Sequence, residues 1–153
     1  MNYFARVLGT DLSLPMVDAA NKGIDSQLSG KIQFIQSPAE SLEFLEDGSV
    51  DLVTAAECVH YFDHPRFFEE VRRILKPNGT LAFWDYSIQM LQNPIADESI
   101  NDLVYDNPNK LGKYWQQPGG ELVRTLLKGI DPPGEAFQDQ KVFYHTPGDK
   151  DSK

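Results

Sequence analysis

The chain has 153 residues, 41% hydrophobic and 24% charged, which places it among ordinary globular domains and outside disordered or fibrous classes. Its 14 Lys and Arg stand against 23 Asp and Glu, and the net charge of -9 argues against nucleic-acid binding by phosphate neutralisation and against anionic membrane surfaces. The single Cys58 makes neither an internal bridge nor a four-ligand metal site, so no metal is expected and the reading is a reducing, cytoplasmic setting.

Residues 5–10 (ARVLGT) predict a short buried strand ending at Asp11. Ser13-Leu14-Pro15 then supplies a cap candidate with Pro in the first turn of a helix that stops at Gly23. Residues 31–36 (KIQFIQ) and 50–55 (VDLVTA) predict two more strands, the second introduced by the turn cluster Glu46-Asp47-Gly48-Ser49. Too few residues separate them for a long helix. Asp63 to Lys76 carries the clearest helical pattern, with Phe67, Phe68, Val71, Ile74 and Leu75 on one face and a Glu69–Arg73 pair on the other. Pro77-Asn78-Gly79 is expected to end it, before a fourth strand over 80–86 (TLAFWDY). Met1 to Phe4 reads as the end of a helix, no stretch resembles a secretory signal, and none reaches transmembrane length.

Strands alternating with helices are the rhythm of a parallel sheet, so the fold class is α/β. From Gln89 the texture changes, because six of the ten prolines and six of the eleven glycines follow it. Two helices, 98–105 and 120–129, are predicted there within an irregular cap. The expected organisation is an α/β unit over 1–88, a cap and remaining C-terminal segment over 89–147, and a frayed tail over 148–153.

Ligands of open parallel sheets bind beyond the carboxyl ends of the strands. The residues there are Asp11-Leu12, Ser37 to Glu40, Ala55-Ala56-Glu57 and Asp85-Tyr86. Asp11 suits either of two roles: its two oxygens match a ribose diol, or its charge favours the N-terminus of the following helix. Glu40 is either a ligand contact or a solvated turn charge. Cys58 reads as a structural thiol. His60 could orient a substrate or act as a base, or simply pack. Trp84, Tyr86, Tyr114 and Trp115 are aromatic wall candidates, and Arg124 is either an anion clamp or a charge on a wet helix face.

The segments VLGTDLSLPMVDAA, SPAESLEFLEDGSVDLVTAAECVHYF and EEVRRILKPNGTLAFWDY resemble the second to fifth strands of class I S-adenosylmethionine-dependent methyltransferases. With TAAECVHYF and YDNPNKLGKYWQQPGGELVRTLL, the chain looks like the fungal trans-aconitate methyltransferase group, which esterifies small carboxylic acids. The resemblance implies a Rossmann-like doubly wound sheet and S-adenosylmethionine as cofactor. It implies that Asp11 holds the ribose, that Leu12 packs on the adenine beside Ala39 and Glu40, and that Ala55 and Ala56 pass the methionine end. On the substrate side it implies His60, Tyr86, Tyr114, Trp115 and Arg124.

An ionised carboxylate acceptor needs no base, so catalysis would rest on holding the reactants in line and excluding water. One family element is missing: no Gly-x-Gly-x-Gly loop occurs, and Asp11 has only ten residues before it. The sequence therefore reads as a methyltransferase shortened at both ends, lacking its first strand. It acts on a small molecule, or else it is a non-catalytic remnant whose open sheet edge is covered by a partner chain.

Overall fold

The computed structural model describes residues 3–87, 93–115 and 117–144. Strand β1 (Val7–Asp11) and strand β2 (Ile32–Gln36) pair in parallel, with Val7 opposite Ile32 and Asp11 opposite Gln36. Helix α1 (Leu14–Lys22) makes the crossover, with Pro15 in its first turn and Gly23 at its end. Ser13 makes no side-chain cap; its backbone N–H donates instead to Asp11 Oδ1 at 2.7 Å. Gly9 faces Phe34 across the ladder, and a Cβ there would lie 2.4 Å from the Phe34 ring. At the other side of Phe34, the Asn21 side chain receives its N–H and donates to its C=O, both at 2.9 Å, as a neighbouring strand would.

Strand β3 (Val50–Ala56), helix α2 (His64–Ile74) and strand β4 (Leu75–Trp84) form a second parallel unit. The partner of Val50 is Leu75 and that of Leu52 is Thr80, so Lys76 to Gly79 bulge out of β4. Pro77-Asn78-Gly79 is thus an irregularity inside the strand rather than the turn before it. Asn78 adopts φ 66°, a conformation that short amide side chains tolerate. The two strand pairs are not hydrogen-bonded to each other, so the expected sheet is present as two parallel halves.

The core belongs to the second unit. Val59, Phe67, Phe68, Val71, Ile130 and Ala55 form one buried cluster, and α2 contributes Phe67, Phe68, Val71 and Ile74 from its apolar face. Asp63 caps α2, accepting from the Arg66 N–H. On the wet side Arg73 pairs with Glu70 and Asp47 rather than the expected Glu69, and donates to the carbonyls of Leu42 and Leu45. Glu70 is tied to the 42–47 loop as well, because its Oε1 accepts from both Arg73 and the Leu42 N–H.

The cap departs further from expectation. Helix α3 (Pro94–Asn101) begins earlier, because Asn93 accepts from the N–H groups of Ile95 and Ala96, and it widens into a π-type turn over Asp102–Asp106. A 3-10 turn over Leu111–Tyr114 leads to α4 (Gly119–Arg124), which is shorter than the expected 120–129. Leu126 and Leu127, at φ 56° and 60°, cannot continue a right-handed helix. Of the helix end expected over Met1 to Phe4, Met1 and Asn2 lie outside the described residues, and Tyr3 and Phe4 contain no helical turn. The predicted tail lies outside the described residues.

Candidate active site

The carboxyl ends of β3 and β4 open into a cavity of about 180 Å³ lined by Glu57, His60, Tyr61, Asp85, Tyr86, Ser87, Tyr105, Trp115 and Val123. Strand geometry supplies Glu57 and Asp85 side by side, because Ala56 is opposite Trp84 and the Glu57 N–H donates to the Trp84 carbonyl at 3.0 Å. Glu57 then turns sharply, at φ 57°, and a 3-10 turn over Val59–Tyr61 swings His60 back over the strand ends. The cap closes the other side. Trp115 stacks on Tyr105, with ring centroids 5.1 Å apart, and Gly119 lies so close to His60 that an added Cβ would be 3.0 Å from its carbonyl oxygen.

His60 is 6% exposed and Asp85 4%, and the His60 Nδ1 is hydrogen-bonded to Asp85 Oδ2. Glu57 lies beside Asp85 at the neighbouring strand end. Burial raises its pKa above the ordinary carboxylate range, and the Asp85 hydrogen bond and charge push it the same way. The Tyr61 ring lies 4.0 Å from the His60 ring, centroid to centroid. Burial also raises the Tyr105 phenol.

The sequence-derived candidates divide into two groups. His60, Tyr86 and Trp115 meet in the cavity. Tyr114 does not line it; 72% exposed, it lies under the Lys113 ammonium. Arg124 does not line it either, and its guanidinium donates to Asp106 Oδ1 at 2.7 Å. Trp84 stands 50% exposed at the end of β4, outside the lining set. A broader cavity of about 570 Å³, lined by Arg6, Lys31, Gln33 and Asn21 among others, lies at the amino ends of β1 and β2, away from the strand ends that bind ligands.

On the β1 side, Asp11 and Leu12 are exposed at the strand end, Leu12 by 70%. Asp11 Oδ1 already serves the start of α1, so one of its two alternative roles is realised. Glu40 accepts from the Asp63 N–H at 2.8 Å, and Ala39 packs against the core. Ala55 is buried and Ala56 exposed. Cys58 is half-buried; burial raises its pKa, and the charges of Asp85, Asp11 and Glu57 add to that, as suits a structural thiol.

Glu57 and Asp85 were visible in the sequence as strand-end acids, but nothing there singled them out from the others. Tyr105 was not singled out as a wall residue, since its place depends on the π-type turn.

Parallel strands with a ligand cavity at their carboxyl ends and a helical cap over it define a Rossmann-like ligand-binding fold. The methyltransferase domain family model matches residues 1–83, more than half of the chain. The chain belongs to that family, the class I S-adenosylmethionine-dependent methyltransferases. The probable S-adenosylmethionine-dependent methyltransferase CRG1 of Saccharomyces cerevisiae is 34% identical over 160 residues, covering 96% of this chain and 52% of its own length. The methyltransferase pgmE of Aspergillus terreus strain NIH 2624 is 31% identical over 159 residues, covering 95% of this chain and 47% of its own. The solved structure of the YcgJ protein from Bacillus subtilis superposes with a TM-score of 0.51 at 29% identity, covering 66% of this chain and 42% of that one. The chain thus spans about half the length of the curated relatives it matches. Among the described residues no helix is long and apolar enough to cross a membrane, and no cluster of His, Cys, Asp and Glu could hold a metal ion.

Proposed function

We propose that this chain forms the donor and acceptor sites of an S-adenosylmethionine-dependent methyltransferase acting on a small molecule. The observation that carries this reading is the aromatic-walled cavity at the carboxyl ends of β3 and β4, in a chain of this family. Residues up to 88 supply the donor side, and the segment from 89 supplies the cover on the acceptor side.

The residues at the strand ends suit the methyl donor. The exposed Asp11 carboxylate keeps Oδ2 for a ribose hydroxyl, and the exposed Leu12 offers an apolar face for a purine. Ala39, Glu40, Ala55 and Ala56 follow or end the neighbouring strands, and their small side chains or carboxylate suit the rest of the donor. When bound, S-adenosylmethionine supplies a methyl group made electrophilic by its sulfonium. The chain's own part is to orient the acceptor between Tyr86, Tyr105 and Trp115 and to keep water away from it.

The cavity is small against the roughly 300 Å³ at which pockets for drug-sized ligands begin, so it suits the reacting end of an acceptor. A carboxylate acceptor finds no Lys or Arg among the described lining residues, since Arg124 is turned to Asp106. The test is a backbone-amide NMR titration of the chain with S-adenosylmethionine. Shifts at Asp11, Leu12, Ala39, Glu40, Ala55 and Ala56 are expected. Shifts confined to Arg6, Lys31 and Gln33 at the opposite ends of the strands would refute the assignment.

A further inference from the structure

We infer that His60, held by Asp85, is a proton acceptor for a methyl acceptor that arrives with its proton, an alcohol or phenol rather than a carboxylate. This deepens the methyltransferase reading and rests on it for the identity of the reaction.

The geometry begins with the hydrogen bond between His60 Nδ1 and Asp85 Oδ2. Where a carboxylate accepts the Nδ1 proton, the other ring nitrogen, Nε2, carries the lone pair. Among the described residues no hydrogen bond occupies Nε2, and no buried side-chain polar atom is left without a partner. Nε2 is therefore not sealed into the protein, and the ring lines the cavity. The carboxyl of Glu57 reinforces the arrangement. Burial and the neighbouring Asp85 both raise its pKa, so it adds no firm charge of its own to compete for the imidazole.

The surrounding charges select the same acceptor. Glu57 and Asp85 face His60 from the ends of β3 and β4, Cys58 flanks it, and Tyr61, Tyr86 and Tyr105 complete the polar surroundings. Arg124, the cation nearest Tyr105, lies about 6.0 Å from that ring and is paired with Asp106. A carboxylate entering this cavity meets acids; a neutral hydroxyl meets a base. Tyr105 and Trp115, stacked on each other, offer an apolar wall to a ring.

In the step itself the acceptor O–H bond breaks and its proton passes to Nε2. The oxygen lone pair forms the bond to the methyl carbon of a sulfonium donor, and the electrons of the carbon–sulfur bond leave with sulfur as a thioether. The imidazolium that forms is stabilised by Asp85 and returns its proton to water. His60 is then the catalytic residue, and Asp85 a positioning residue that fixes its tautomer.

The test uses the 153-residue chain with ¹⁵N-labelled histidine and a matched pair of probes, phenol and benzoate. Imidazole nitrogen shifts should show Nδ1 protonated and Nε2 bare, with phenol perturbing Nε2. In Asp85→Asn the side-chain amide can donate to Nδ1, so the ring should change to the Nε2–H tautomer while backbone spectra stay native. Phenol should bind about tenfold or more tightly than benzoate, from the cost of placing like charges together. A wild-type ring protonated on Nε2, a tautomer unaltered by Asp85→Asn, or phenol binding no tighter than benzoate, absence of binding by both included, would overturn the inference. The donor titration reads residues at the end of β1, so its failure and this one are separable.

Discussion

At the residue scale, two side-chain arrangements carry most of the consequence. Arg73 ties α2 to the 42–47 loop through Glu70, Asp47 and the carbonyls of Leu42 and Leu45. Its bonds are charge-assisted and its side chain is 30% exposed, so Arg73→Ala should cost about 2 kcal/mol, measured by urea unfolding. Glu70 has its pKa lowered, first by the Arg73 hydrogen bonds. Its folded-state value lies below the unfolded one, so its contribution is complete above the ordinary carboxylate range and is lost as pH falls through the folded value. The melting temperature should therefore drop on acidification, and Glu70→Gln should flatten that drop. An unaltered acid slope in the variant would show that Glu70 is not its source. These contacts were hidden in the sequence, where Glu69 stood at the better helical spacing. A loop folded back over α2 decided between the two acids, and helical periodicity cannot see that loop.

At the element scale, glycines mark where one element lies hard against another. Gly112 packs against the end of the π-type turn, and a Cβ there would lie 2.5 Å from the Tyr105 carbonyl oxygen. Gly112→Ala should move that turn, displace Tyr105 and Trp115, and weaken phenol binding while leaving α2 intact. Binding by ligand-observed NMR, with circular dichroism as the control, measures both effects. Core truncation differs in kind: Ile74, only 1% exposed, should cost about 2–5 kcal/mol as Ile74→Ala. The four strands and α2 were legible because their signals are local, an apolar run or a helical face bounded by turn residues. The cap was less legible. Asn93-Pro94 is a recognisable helix start, four residues before the expected Glu98, and the left-handed Leu126-Leu127 pair ends α4 with residues that favour helix. In the site, His60, Tyr86 and Trp115 could be read from their places beside strand ends and in the cap. Tyr114 and Arg124 could not be told from them, since neighbours on a turn differ only in the direction that packing gives them.

At the scale of the whole molecule, the two parallel units are unequal. The buried cluster lies in the β3–α2–β4 unit with Val59 and Ile130, whereas among the described residues α1 contributes only Val17 to the buried set. Hydrogen exchange should therefore protect α2, β3 and β4 more strongly than β1 and β2. Equal protection in both units would show that they unfold together. Among the described residues no further strand pairs with either unit, and such edges accept an added strand or a partner chain. The donor residues of β1 and the acceptor cavity of β3 and β4 thus belong to separate strand pairs, and the proposed chemistry requires both.

The proposed donor site, with Asp11 on the ribose of S-adenosylmethionine, is the part on which the rest depends. Calorimetric titration of the chain with S-adenosylmethionine, repeated on Asp11→Ala, measures it. Saturable binding to the wild-type chain that the substitution abolishes is expected; absence of binding, or equal affinity in the two proteins, would refute the assignment.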